Sequence, residues 1–212
     1  MKKNAMESLQ KSPVIAVIRR PPQEKMLQIA EALLAGGVKH MEITMEKPES
    51  AELIQQVKEK FGDQALVGAG TVLDEPSAVR AIHAGADFIF SPNLNLDVVK
   101  AAKRYGVTSI PGVMTPTEVV TAYEAGADIV KIFPAATLGS AYLKELKGPL
   151  PHIPMIPTGG VNAANIQEFI DNGALAVGAG GSLIDKQAIE EGDFEKVTEK
   201  AKELFSGLRN KK

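Results

Sequence analysis

Lys131 stands inside Asp128-Ile129-Val130-Lys131-Ile132-Phe133-Pro134, a short apolar run that reads as a buried strand. Most other lysines of the chain fall on polar helix faces or at the termini, where an ammonium stays hydrated. An ammonium taken out of water without a partner is costly, and the group tends to shed its proton instead. A neutral amine in a closed site attacks carbonyl carbon. A lysine that snorkels, or that pairs with a carboxylate, fits the same strand. Glu42 is the matching carboxylate, in the strand-like run His40-Met41-Glu42-Ile43-Thr44. Side chains alternate along a strand, so His40, Glu42 and Thr44 share one face, as do Ile129, Lys131 and Phe133. If both faces point inward, an amine and a carboxylate meet, either as a structural ion pair or as a nucleophile and its acid/base partner.

The elements that would carry these two residues repeat. A helix, then Ala-Gly-Gly or Ala-Gly-Ala, then a strand recurs at Ala35-Gly36-Gly37, Ala84-Gly85-Ala86-Asp87 and Ala125-Gly126-Ala127-Asp128, with a weaker copy at Asn172-Gly173-Ala174. Glycine just past a helix end is a common stop. The copies lie roughly 40–50 residues apart, the span of two βα units. Phe61-Gly62-Asp63, Tyr105-Gly106-Val107 and Gly148-Pro149-Leu150-Pro151 mark the intervening units. Short apolar runs predict strands at 14–18, 40–44, 66–69, 88–90, 108–110, 129–133, 154–156 and 175–178. Amphipathic stretches such as 48–61 and 117–124 separate them. Regular alternation with continuous apolar strands implies parallel pairing with both faces covered. The expected fold class is α/β, a (β/α)8 TIM barrel forming a single domain over residues 1–212, with Arg209-Asn210-Lys211-Lys212 frayed. A doubly wound open sheet would want Gly-x-Gly-x-x-Gly after the first strand, where the chain has Val17-Ile18-Arg19-Arg20-Pro21-Pro22.

Barrel chemistry gathers at the C-terminal ends of the strands. Those ends are polar here: Arg19-Arg20, Glu42 with Thr44, Gly68-Ala69-Gly70-Thr71, Ser91-Pro92-Asn93, Lys131, Thr158-Gly159-Gly160 and Gly178-Ala179-Gly180-Gly181-Ser182. Two glycine-rich turns after the last two strands let backbone N–H groups approach an anion, and this corner of a barrel is a frequent phosphate site. Glycine as plain turn chemistry is the other explanation. A metal is not expected. Of three histidines, His83 falls on a helix, His152 stands between prolines, and His40 lies deeper than Glu42, so no set of three ligands converges.

Composition closes off other classes. A net charge of -2 gives no basic field for nucleic acid. With no cysteine, disulfides and thiolate metal sites are excluded. The opening Met1-Lys2-Lys3-Asn4-Ala5-Met6-Glu7 is basic without an apolar run behind it, which argues against a signal peptide. No run approaches a membrane span, so a cytoplasmic protein with no membrane partner is expected.

Taken together, several segments resemble the 2-keto-3-deoxy-6-phosphogluconate / 4-hydroxy-2-oxoglutarate aldolase family over almost the whole chain. They are Val14-Ile15-Ala16-Val17-Ile18-Arg19, Glu42-Ile43-Thr44, Gly68-Ala69-Gly70-Thr71-Val72, Ser91-Pro92, Pro111-Gly112-Val113-Met114-Thr115-Pro116, Lys131-Ile132-Phe133-Pro134-Ala135 and Pro157-Thr158-Gly159-Gly160-Val161. The resemblance implies a carbon-carbon lyase that needs no metal or other cofactor and works through a lysine Schiff base, usually as a homotrimer. Its substrate would be a small keto acid, cleaved to pyruvate and glyceraldehyde 3-phosphate or glyoxylate. It implies Lys131 as the imine-forming lysine and Glu42 as the general acid/base. Thr71, Pro92 and Phe133 would line the pyruvate half, and Gly159, Gly160, Gly181 and Ser182 would surround the distal phosphate. Some members carry an arginine two residues after Glu-x-Thr that holds the substrate carboxylate; here that position is Glu46. Arg19 is the expected substitute, since a guanidinium fork suits a carboxylate. Two other functions fit the same strand ends: a phosphosugar isomerase or epimerase using Glu42 as base without a covalent lysine, and a non-catalytic assembly subunit.

Overall fold

The computed structural model describes residues 5–209. Helix α1 (Ala5–Lys11) leads into β1 (Val14–Ile18), and from there strands and helices alternate. The order is α2 (Met26–Ala35), β2 (His40–Thr44), α3 (Ser50–Phe61), β3 (Leu66–Gly70), α4 (Glu75–His83), β4 (Phe88–Phe90) and α5 (Leu96–Tyr105). Then come β5 (Thr108–Ile110), β6 (Gly112–Val113), α6 (Pro116–Glu124), β7 (Val130–Ile132), α7 (Ala135–Lys147), β8 (Met155–Pro157), α8 (Ile166–Asp171), β9 (Val177–Ala179), α9 (Lys186–Glu191) and α10 (Phe194–Ser206). Helix starts follow their caps. Asp74 accepts from Ser77 N–H at α4, and Thr115 and Glu118 form a reciprocal capping box at α6.

All pairings are parallel, in a six-stranded sheet β5-β4-β3-β2-β1-β9 and a three-stranded sheet β6-β7-β8. The fold is thus α/β with curled parallel sheets. The strand predicted at 108–110 forms as β5; past Pro111, which has no N–H to give, a separate short strand, β6, pairs with β7, and the sequence did not mark it. Across that seam Ile129 N–H donates to Ser109 O (3.3 Å) and Lys131 N–H to Pro111 O (2.8 Å). Across the other seam Leu175 N–H donates to Met155 O (2.9 Å), and Thr158 bridges Gly178. Other boundaries moved slightly: β3 runs on through Gly70, β7 loses Ile129 and Phe133, and β9 starts at Val177. Arg209, expected to fray, is tied down, its N–H on Gln167 Oε1 (2.6 Å) and its guanidinium on Asp171 (2.9 Å). Residues 210–212 of that tail lie outside the described residues.

The repeated Ala-Gly-Ala-Asp phrase produces a repeated contact. Asp87 accepts from Val67 N–H (2.8 Å) and from Lys58 Nζ (2.7 Å). Asp128 does the same with Ser109 N–H (2.9 Å) and Lys103 Nζ (3.2 Å). Each aspartate ties its incoming strand to the strand before it and to the helix that leads into that earlier strand. The glycine of each phrase (Gly37, Gly85, Gly126, Gly173) has φ of 93 to 96°, a conformation other residues resist.

Two apolar cores result. The larger lies between sheets and helices. The smaller is enclosed by the strands: Ile15, Leu66, Phe88, Phe90, Ile110, Ile129, Ile156 and Ala176, closed at the N-terminal end by Ala5 and Leu9 of α1. His40 belongs to that lower layer, its Nδ1 3.2 Å from Val14 O and its Nε2 2.8 Å from Ser8 Oγ. Among the described residues no helix is long and apolar enough to cross a membrane.

Candidate functional site at the C-terminal ends of the strands

The inner core fixes which way each strand faces. Ile15 is inward, so by alternation Val17 is too; Ile129 is inward, hence Lys131 and Phe133; Ile156 is inward, hence Thr158. Register sets Glu42 opposite Val17 on one side and Gly68 on the other, and Lys131 between Gly112 and Ile156. Lys131 and Glu42 therefore project into the same interior, one layer above the apolar floor.

Both are almost fully removed from water: Lys131 is 5% exposed and Glu42 1%. Lys131 Nζ lies 4.3 Å from the Phe90 ring centroid and 4.8 Å from that of Phe133. Burial lowers its pKa; the Glu42 charge opposes that shift and Arg19 adds to it. Burial pushes the Glu42 carboxyl up to about 7, against the pull of Lys131 and Arg19, with Glu46 adding to the rise. Glu42 Oε2 has no hydrogen-bond partner among the described residues. Both shifts run the same way, towards a proton on the carboxyl and none on the amine. A neutral amine beside a carboxylic acid is a nucleophile with a proton donor at hand.

The sequence did not single out the glycines that make room for this pair. A Cβ on Gly70 would come within 1.7 Å of Glu42 Oε1, and one on Gly112, beside Lys131, within 2.3 Å of the Pro92 carbonyl carbon. That close approach sets Pro92, half-buried, against β6 at the same mouth. Thr71 sits half-buried at the end of β3 with φ of 53°, a strained value for a β-branched residue, worth about 1–3 kcal/mol. Thr158 is a strand-end residue to which the sequence attaches no chemistry. Its hydroxyl is buried and unpartnered among the described residues, over Gly178, where any Cβ would meet it.

At the rim, Arg19 is 57% exposed, with Nε 3.7 Å from Glu46 Oε2. Arg20 makes the tighter pair with Glu46, 2.7 Å. Burial pushes the Glu46 carboxyl up, but hydrogen bonds from Thr44 and Arg20 and the charges of Arg20 and Arg19 hold it below the usual range. The structure brings Arg19 within electrostatic reach of Lys131 and Glu42.

The two glycine turns come together after β8 and β9, next to the rim, since β9 pairs with β1. Gly159 and Gly160 have φ of 97° and 74°. Gly181 and Ser182 head a tight turn in which Leu183 and Ile184 N–H both donate to Gly180 O. Ser182 Oγ donates to Val161 O at 2.5 Å, tying one turn to the other. The helices that follow begin only at Ile166 and Lys186, so the backbone N–H groups here belong to turns rather than to helix ends. Among the described residues no cluster of three His, Cys, Asp or Glu side chains stands where it could hold a metal. His83 and His152 are exposed.

Residues 5–200 match the family model described as "Aldolase: KDPG and KHG aldolase". The chain is 36% identical over 193 residues to the 2-dehydro-3-deoxy-phosphogluconate aldolase of Treponema pallidum, covering 91% of each. It is 38% identical to the 2-dehydro-3-deoxy-6-phosphogalactonate aldolase of Escherichia coli, covering 82% of this chain and 85% of that one. A KDPG aldolase from Legionella pneumophila, solved with pyruvate captured at low pH as a covalent carbinolamine, superposes with a TM-score of 0.89 at 31% identity, over 96% of this chain and 99% of that one. The chain belongs to the KDPG and KHG aldolase family, and its chemistry is that of a carbon–carbon lyase.

Proposed function

We infer that the protein cleaves a 2-keto-3-deoxy sugar acid, 2-keto-3-deoxy-6-phosphogluconate or its shorter analogue 4-hydroxy-2-oxoglutarate, through an imine on Lys131. The observation that carries this is the buried pair itself: an amine and a carboxyl, both shifted towards their neutral forms, at one barrel mouth. Neutral Lys131 adds to the C2 ketone. Glu42 gives a proton as the carbinolamine loses water, leaving a protonated imine and a carboxylate. That carboxylate takes the C4 hydroxyl proton, the C3–C4 bonding electrons flow into the imine, and the aldehyde departs. The enamine left on Lys131 is protonated at C3, and water releases pyruvate and the free amine.

The remaining assignments rest on the family resemblance, and the place of these residues at the mouth supports them. Arg19 and Thr71 take the substrate carboxylate, Pro92 and Phe133 wall the pyruvate half, and Thr158 meets a substrate hydroxyl. Backbone N–H groups around Gly159, Gly160 and Gly181, with the Ser182 hydroxyl, take the distal phosphate. The two hydrogen-bonded seams support counting β5 and β6 as one strand of an eight-stranded (β/α)8 barrel in a single domain. A homotrimer is proposed as well, supported by the exposed apolar side chains Leu73, Leu96, Met114 and Tyr123.

Borohydride reduction in the presence of pyruvate, followed by peptide mass spectrometry, tests the chemistry. A reduced pyruvyl adduct on Lys131 is expected. No adduct, or one on another lysine, overturns the assignment.

A further inference from the structure

Two arginines and one glutamate converge where β1 and β2 leave the sheet. Arg20 turns back on itself with φ of 49°, and its N–H donates to Thr44 Oγ1 at 3.3 Å. Its guanidinium holds Glu46 Oε1 at 2.7 Å, so the two strand exits are stapled by backbone and side chain together. Arg19, immediately before this turn, brings only its Nε near Glu46, at 3.7 Å. The terminal nitrogens of Arg19 have no other partner among the described residues. Two guanidiniums against one carboxylate leave one net positive charge beside the mouth.

Resting on the assignment of Arg19 to the substrate carboxylate, we propose that Glu46 is a positioning residue. Pinned by Arg20, it holds the Arg19 guanidinium over the mouth with its terminal fork free for that carboxylate. A long, 57% exposed arginine otherwise samples many rotamers, and binding would have to order it. Without Glu46 two guanidiniums on adjacent residues also repel each other.

Charge counting and positioning make opposite predictions. Removing the Glu46 charge makes the rim more positive, which by simple attraction would tighten a keto acid. Positioning demands that it loosen. The measurement is pyruvate affinity, read from the saturation of borohydride trapping on Lys131, in the wild type, Arg19→Gln, Glu46→Gln and the double variant. Arg19→Gln is expected to weaken pyruvate by about tenfold or more, the loss of a charge-assisted bond. Glu46→Gln should approach that loss, the double variant should be no weaker than Arg19→Gln alone, and Glu46→Asp should recover part of the affinity. A far-UV circular dichroism spectrum and a thermal melt near wild type report that each variant is folded. If Arg19→Gln weakens pyruvate while Glu46→Gln leaves it equal or tighter, the positioning role is wrong and the arginine assignment stands. If Arg19→Gln has no effect, the carboxylate assignment itself has failed and the role of Glu46 goes with it.

Discussion

Gly70 stands on the neighbouring strand against the Glu42 carboxyl, so close that a Cβ there would come within 1.7 Å of Oε1. The carboxyl has its room because the neighbouring strand, in register Thr44 to Gly70, carries no side chain there. Gly70→Ala should displace the carboxylate and reproduce the loss caused by Glu42→Gln, a fall in kcat of about 10²-fold or more. Overpacking should also cost about 1–3 kcal/mol of stability. Steady-state kinetics beside a thermal melt separates the two. A Gly70→Ala enzyme with wild-type kcat would mean that Glu42 tolerates a different position.

A carboxyl poised at about 7 should be visible in the rate. The kcat/KM profile is expected to bend near neutrality, with an apparent pKa belonging to the Lys131–Glu42 pair rather than to either residue. In Glu42→Gln that inflection should leave the neutral range while turnover drops by about 10²–10⁴-fold. An unchanged inflection would place the titrating group elsewhere.

Ser182 offers the cleaner handle on the phosphate corner. At Gly160 any side chain meets Ala136 Cβ at 2.5 Å and an unfavourable φ, so a loss there mixes strain with ligand contacts. Ser182→Ala removes one hydroxyl from an exposed turn. It should raise KM for a phosphorylated substrate several-fold, about 1 kcal/mol for a hydrogen bond, and leave 4-hydroxy-2-oxoglutarate nearly unaffected. Equal losses on both substrates would count against a phosphate at this turn.

His40 predicts a stability slope unrelated to catalysis. Burial lowers its pKa to about 4 from 6.5, the bond to Val14 O opposing the shift. The unfolded chain thus binds a proton at higher pH than the folded one, and stability falls as pH drops from 6.5 towards 4. The full effect is on the order of 3 kcal/mol, at about 1.4 kcal/mol per unit. Comparing melts of the wild type and His40→Gln across that window isolates it, because other titrating groups are common to both. Parallel curves would show that His40 does not carry the slope.

Much of this was legible in the residues, for physical reasons that differ from place to place. The strand-helix alternation showed because each βα unit must bury a continuous apolar strand and stop its helix with glycine. The Ala-Gly-Ala-Asp phrase marked the real joints, and Asp87 and Asp128 turned out to make the same three-way contact. Lys131 and Glu42 stood out because charge on an apolar strand is conspicuous. The break at Pro111 and the clearance at Gly70 and Gly112 did not, since a missing donor or a missing side chain matters only once its neighbour is placed. Arg19 was expected to stand in for an arginine absent at position 46. Its link to Glu46 through Arg20 depends on a left-handed turn at a non-glycine residue, which composition does not announce.

The rings of Phe90 and Phe133, 4.3 and 4.8 Å from Lys131 Nζ, have a bearing on the reaction's energetics. An aromatic face carries a negative quadrupole and attracts a cation. In the resting site the cation would be an ammonium, compact and strongly hydrated, and its dehydration works against the rings and lowers the pKa. On the proposed path the same nitrogen becomes an iminium, whose charge is spread over carbon and nitrogen and which needs less from water. The rings then face a cation they can keep. Their attraction is spent on the intermediate rather than on the resting enzyme, which is the direction in which binding energy lowers a barrier.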